Sequence, residues 1–174
     1  NIWTYIKYDV LGRAILRGKY NSASTRSTIQ NAITNTDTTL YETFNCSLTD
    51  FYTNNTYPTT SCNMLSAKYY DDYEFYTGAS SSSFPVLFGS KMSTLSSIIS
   101  DPLKTRGLLT CSKEATIGPT STSYRWTAYF YDGLHDTPYK TLTSNTFSRI
   151  DFEELNMNYT GQVTNKTILH AASD

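Results

Sequence analysis

The residue types that do chemistry are sparse in this chain, and their spacing is loose. One of two histidines, His135, stands in Gly133-Leu134-His135-Asp136. The carboxylate beside it would orient an imidazole for acid–base work. A stretch of Gly, Asp and His is more often a solvated turn, and His170 lies in the polar C-terminal stretch. Carboxylates are paired at Asp71-Asp72 and Glu153-Glu154. Neighbours on a strand point to opposite faces, and on a helix they lie about 100° apart, so neither pair makes an acid–base dyad. Asp132 and Asp136 frame a loop without the ligand spacing of a calcium site. Gly78-Ala79-Ser80-Ser81-Ser82 starts like a nucleophile elbow but has Ser82 where the second glycine belongs. Neither glycine-rich phosphate loop occurs, and no cysteine stands at zinc spacing from a histidine. The expectation is no catalytic residue, no metal, no cofactor, and a protein that is not an enzyme.

The bulk numbers bound the partners. Fourteen basic and 15 acidic residues leave a net charge of -1. That gives no electrostatic footprint for nucleic acid and no polybasic segment for an anionic membrane. No apolar run approaches the length that spans a bilayer. Charged residues are 17% of the chain, below the ordinary quarter or so, and hydroxyls and amides take their place. That surface style suits an extracellular β-protein. The chain opens at Asn1 without a signal-peptide pattern, as a mature or trimmed chain would.

Cysteines and sequons point to the same compartment. Four Asn-X-Ser/Thr sequons occur, at Asn45, Asn54, Asn158 and Asn165. An Asn- and Thr-rich chain makes some by chance, but all four are expected at the surface, where a glycan must be. Cys46, Cys62 and Cys111 are odd in number. A Cys46–Cys62 bridge would stabilise by about 3 kcal/mol in the chain-entropy model. Cys62–Cys111 is the competing pair, and three reduced thiols are the remaining alternative.

Fifteen tyrosines are the one positive signal for a binding surface. Tyr and Trp give rigid, amphipathic contact area at low entropy cost. Tyr69, Tyr70, Tyr73, Phe75 and Tyr76, interleaved with Asp71, Asp72 and Glu74, are expected to form an exposed partner-binding face, joined by Tyr52 and Tyr57. The alternative is that Tyr serves as half-buried strand filler.

The elements that must hold these residues read as mainly antiparallel β, a sandwich or α+β, with two or three short helices, in one domain over 1–174. Tyr124 to Gly133 alternates Tyr124, Trp126, Ala128 and Phe130 with Arg125, Thr127, Tyr129 and Tyr131. That period of two predicts a central strand with Trp126 and Phe130 in the core. Ile2 to Tyr20 reads as a hairpin turning at Leu11-Gly12-Arg13. A helix over Thr25 to Ile33 would bury Ile29 and Ile33. Leu40 to Leu48 reads as a strand, Thr49 to Cys62 as loop, and Met64 to Thr77 as a strand. Gly78 to Ser83 reads as a flexible tip, and Ser90 as the cap of a helix over Lys91 to Ile99 that Asp101-Pro102 stops. Arg106 to Lys113 and Tyr139 to Thr143 read as strands, with a turn at Gly118 to Ser123. Ser148 and Asp151 suggest a capped helix through Leu155. The polar remainder ends in a frayed Ala171 to Asp174.

Together these observations imply a secreted or surface-displayed glycoprotein domain that recognises a protein or glycan on a host cell surface. A viral or parasite receptor-binding or immune-evasion ectodomain would have this composition. The alternatives are a carrier of small hydrophobic ligands with a barrel cavity, and a structural subunit of an extracellular filament or coat. Oligomeric state is left open.

Overall fold

A computed structural model describes residues 1–36, 39–48, 50–77, 86–94, 104–117, 122–144 and 149–170. Eight strands are hydrogen-bonded in sequence order, and the recorded neighbouring pairs are antiparallel. Among the described residues three short helices accompany them, so the antiparallel β class with short helices holds. The chain divides into two compact units, Asn1–Ala67 and Lys68–Asp174.

In the first unit, β1 (Ile2–Tyr8) and β2 (Ala14–Asn21) form the expected hairpin, turned through Gly12 at φ 76°. Asp9 closes the turn by accepting the amides of Leu11 and Arg13. The Ile face of β1 is the exposed one, and Trp3, Tyr5 and Lys7 turn inward. The register of β2 on β3 (Cys62–Tyr70) shifts between Arg17 and Gly18. Gly18 is needed there: a Cβ would stand 2.6 Å from the Tyr5 hydroxyl and closer still to the Asn63 carbonyl. Helix α1 (Arg26–Thr36) starts where expected, its amide at Thr28 bonded to the Thr25 hydroxyl. Ile29 is half-buried, but Ile33 is exposed rather than buried.

Leu40 to Leu48 is not a strand. Among the described residues its ladder contact is an isolated bridge from Phe44 to Tyr52. The local side chains and backbone make turns instead. Asn45 accepts the Ser47 amide, Leu48 N–H donates to the Asn45 carbonyl, and Asn45 N–H to that of Phe51. The following loop is anchored by Phe51 and Tyr52, which are buried rather than displayed, and Tyr57 is half-buried with its hydroxyl on that of Tyr20.

In the second unit, the end of β3 leads through Asp71, at φ 75°, into helix α2 (Glu74–Thr77). The expected strand therefore stops at Tyr70, and the Asp72 carboxylate caps the Glu74 amide. Helix α3 (Val86–Thr94) begins earlier than expected, and Ser90 lies inside it instead of capping it. Phe88 and Met92, four residues apart and both fully buried, fix its inward face. The expected Gly78–Ser83 tip, the residues after Thr94, Asp101-Pro102, most of the 118–123 turn, Ser148 and the frayed end fall outside the described residues.

Strand β5 (Thr122–Phe130) runs between β4 (Leu109–Ile117) and β6 (Lys140–Ser144). Trp126, Ala128 and Phe130 are buried on one face, as the alternation predicts. Tyr69 stacks on Trp126 and on Phe75, at 6.1 and 5.5 Å between ring centres, and Tyr73 stacks on Phe130 at 5.6 Å. The expected helix through Leu155 is instead β7 (Ile150–Met157), which pairs with β6 and with β8 (Val163–His170). Two ladders of backbone bonds override a local capping signal.

Candidate functional site

The expected Tyr face is the wrong surface. Tyr69, Tyr73 and Phe75 are between 1% and 3% exposed, and Tyr70 and Tyr76 are half-buried. Two of the hydroxyls are used internally: Tyr73 donates to the Tyr129 carbonyl at 2.6 Å and Tyr76 to that of Gly89 at 3.1 Å. Burial pushes the Tyr73 phenol well up, helped by the charges of Tyr131 and Tyr139 when ionised. This aromatic cluster is the core of its unit.

The chemistry-bearing residues of the second unit gather instead at one end of its strands. Antiparallel order places there the β3–α2 corner, the 104–108 turn, the β5–β6 loop (131–139) and the β7–β8 turn (158–162). Asp71 ties the first two together, accepting the Gly107 amide at 2.7 Å and the Thr105 hydroxyl on its carbonyl. The Lys104 side chain packs against Gly133, within 2.6 Å of where a Cβ would lie. Gly133 has φ 80°, which favours glycine, and the flexible Lys104 methylenes would have to shift for a Cβ.

Asp132 organises the β5–β6 loop. Its Oδ1 accepts the amides of Leu134 and His135 at 2.8 and 3.0 Å, and its Oδ2 lies 2.8 Å from His135 Nδ1. Partial burial works against its ionisation, but the two amides and the imidazole outweigh that and hold the carboxyl below its ordinary value. The carboxylate that orients His135 is thus Asp132, three residues before it, and not the adjacent Asp136 of the sequence expectation. His135 is held above the ordinary imidazole range, first by the Asp132 hydrogen bond and further by the main-chain carbonyls of Tyr159 and Asn158.

Asn158 organises the facing turn. Its side-chain oxygen accepts the Thr160 amide, the Thr160 hydroxyl and the Gln162 amide, and its amide donates to Gln162 Oε1 at 3.1 Å. Above these two satisfied frameworks stand Leu134, 84% exposed, and Tyr159, 94% exposed. Sequence reasoning missed both; Tyr159 was visible only as the middle residue of a sequon. Among the described residues the hydrogen-bond partner of the His135 ring is the Asp132 carboxylate, and the two loops expose an apolar side chain each.

The remaining predicted sites are scattered. Asn45 and Asn165 are exposed, the latter on β8. Asn54 is committed to the fold: its oxygen accepts Lys7 Nζ at 2.6 Å and its amide donates to the Thr59 carbonyl at 2.6 Å. The expected Cys46–Cys62 bridge is not formed, and all three cysteines are free. The turns around Asn45 direct the chain away from a bridge, Cys62 Sγ turns to the carbonyls of Pro58 and Thr60 at 3.4 and 3.2 Å, and Cys111 is buried in the other unit. Among the described residues no group of acidic, His or Cys side chains could hold a metal ion, and no helix is long and apolar enough to cross a membrane. Comparison with protein-family models, with curated proteins and with solved structures finds no match.

Proposed function

We propose that this protein is a recognition domain, displayed outside a cell or on a virion, that binds a protein on a host cell surface through the loop end carrying Leu134 and Tyr159. The observation that supports it is the exposure of two apolar side chains on turns whose polar groups are already satisfied. An apolar group is costly to leave in water, and a preordered turn loses little entropy when a partner covers it. Asp136, exposed beside them, and the half-buried Asp71 and Asp72 favour a partner pocket with an apolar floor and a basic rim. Glycosylation at the exposed Asn45 and Asn165 belongs to the same proposal. No catalytic step is proposed.

Flow cytometry with labelled protein on a panel of animal cell lines tests the site. Leu134→Ala with Tyr159→Ala is expected to lower cell binding tenfold or more. Ile2→Ser with Ile6→Ser, on the exposed face of β1, is expected to leave it unchanged. Equal loss in both would remove this end as the site.

A second proposal, a structural subunit that self-assembles, is supported by one specific feature. β8 is the last strand in the sheet order and all its residues are exposed, so among the described residues no strand covers its outer edge. Light scattering across a concentration series separates the two, because only the subunit should grow with concentration.

A further inference from the structure

Strand β8 stands last in the sheet order, and little on it blunts the edge. Val163–His170 contains neither proline nor glycine, and all of its residues are exposed. The register shift of the β7–β8 pair lies at the turn end, between Asn156 and Met157. The two basic side chains of the strand are engaged by β7. Lys166 Nζ meets Glu153 Oε2 at 2.9 Å, and His170 Nδ1 meets Asp151 Oδ1 at 2.8 Å. Both faces leave apolar area in water, with Leu169 58% exposed on one and Ile168 49% on the other. Water or another strand can satisfy the backbone groups along such an edge, but only a strand also covers these side chains.

The sequence of β8 is complementary to itself. Two antiparallel copies about a two-fold axis set residues of one face opposite each other, so the residue on the axis fixes the register. With Thr167 on the axis, Thr167 faces its own copy, Lys166 faces Ile168 and Asn165 faces Leu169. No charge then opposes a like charge, and the Lys166 methylenes can lie along Ile168. With Lys166 on the axis, two ammonium groups stand directly opposite. With Ile168 on the axis, Lys166 meets His170 and fewer residues pair. Thr167 is therefore the centre. Such a pair uses the β8 edge of both copies and leaves none for a third, so it closes as a dimer.

The same strand carries the sequon Asn165-Lys166-Thr167. Asn165 is exposed, and among the described residues its side-chain amide makes no hydrogen bond, unlike those of Asn54 and Asn158. In the Thr167-centred pair its Cβ stands about 5 Å from that of Leu169 in the second copy, and the axis makes that contact twice. A branched sugar has no room there. We propose that β8 is a homodimer interface, paired antiparallel about Thr167, and that a glycan on Asn165 keeps this edge from pairing. Carbohydrate thus decides between a monomer and a two-fold dimer. The pairing does not depend on the recognition proposal above; the glycan guard rests on its secretory part.

The test is sedimentation equilibrium of the full chain, secreted from animal cells, over a concentration series. Protein with glycan mapped at Asn165 is compared with Asn165→Gln, which keeps its other glycans. Asn165→Gln is expected to rise to twice the monomer mass and stop, with a dissociation constant at least tenfold below that of the glycan-bearing form. Ile168→Lys, added to Asn165→Gln, sets a second ammonium opposite Lys166 across the axis while facing Glu153 in its own chain. It should weaken the dimer tenfold or more without unfolding the protein, and adding Lys166→Glu should restore it. A monomeric Asn165→Gln protein, or a dimer indifferent to Ile168→Lys, overturns the interface. Equal pairing of the glycan-bearing form overturns the guard. Mass that climbs past two copies overturns the closed pair in favour of a growing assembly. Bare Asn45 and Asn165 with an intact dimer count against the secretory reading and the guard, and leave the pairing standing.

Discussion

Lys7 and Glu42 carry opposite charges into the interior of the first unit, and every polar atom they bring is used. The Lys7 ammonium donates to Glu42 Oε1, Asn54 Oδ1 and the Thr56 carbonyl at 2.6–2.9 Å. Glu42 also accepts the amides of Asn55 and Thr56 and the hydroxyls of Thr53 and Thr56. Burial alone would raise the carboxyl, but these donors outweigh it and hold it below its ordinary 4.5. Its contribution is therefore complete above 4.5 and is lost as pH falls through the folded value. Urea unfolding should show Lys7→Met costing about 3–5 kcal/mol, because it strands a buried carboxylate. Glu42→Gln should flatten the acid limb of the stability curve. The same network predicts that Asn54 stays unglycosylated in the folded protein, since its amide is spoken for and Thr56 is buried. Peptide mass mapping of native-source protein checks this, with occupancy expected at Asn45 and Asn165; a glycan on Asn54 would contradict it. None of this network was legible in the sequence. Lys7, Glu42 and Asn54 are far apart in the chain, and nothing in their local pattern distinguishes them from surface residues.

At the scale of elements, the hairpin of β1 and β2 depends on Gly18 as a landing place for the Tyr5 ring. Gly18→Ala should destabilise by about 1–3 kcal/mol, by overpacking against the ring and the Asn63 carbonyl. A shift of the thermal midpoint of less than a degree would contradict that contact. Phe75→Ala should cost about 3–5 kcal/mol, the price of an emptied aromatic site, and should not weaken cell binding beyond its effect on folding. That pair of results separates core from interface. The elements that the sequence revealed are those whose two faces differ: β5 alternates because Trp126 and Phe130 face the core while Arg125 and Thr127 do not. β8 was invisible because all its residues are exposed, which leaves no alternation to read. Leu40 to Leu48 misled because its apolar spacing mimics a strand while Asn45 and its neighbours make turns. The Tyr69 to Tyr76 stretch misled because its acidic residues suggested solvent, although Asp71 and Asp72 serve a tight corner.

Over the whole molecule the polarity of the surface is uneven in a way composition alone does not reveal. A row of directly paired residues, Cys111, Ala128, Leu142, Phe152 and Leu169, crosses the second unit's strands from β4 to β8. The first three are fully buried, Phe152 is half-buried, and Leu169 is 58% exposed. The core face thus runs out from under cover toward β8, at the end of the β7–β8 hairpin away from the turn that carries Tyr159. Substitutions at Leu134 and Tyr159 should change unfolding free energy by no more than about 0.5 kcal/mol, the ordinary range for surface positions. Any loss of binding there would then be a loss of contact. The measurement that tests this most directly is photocrosslinking on intact cells, with a benzophenone side chain placed at position 159 or, as the comparison, at position 6 on β1. The account predicts a discrete adduct to one surface protein from position 159, competed by unlabelled protein, and none from position 6. Adducts from position 6 alone would contradict it and move the recognition surface to the first unit.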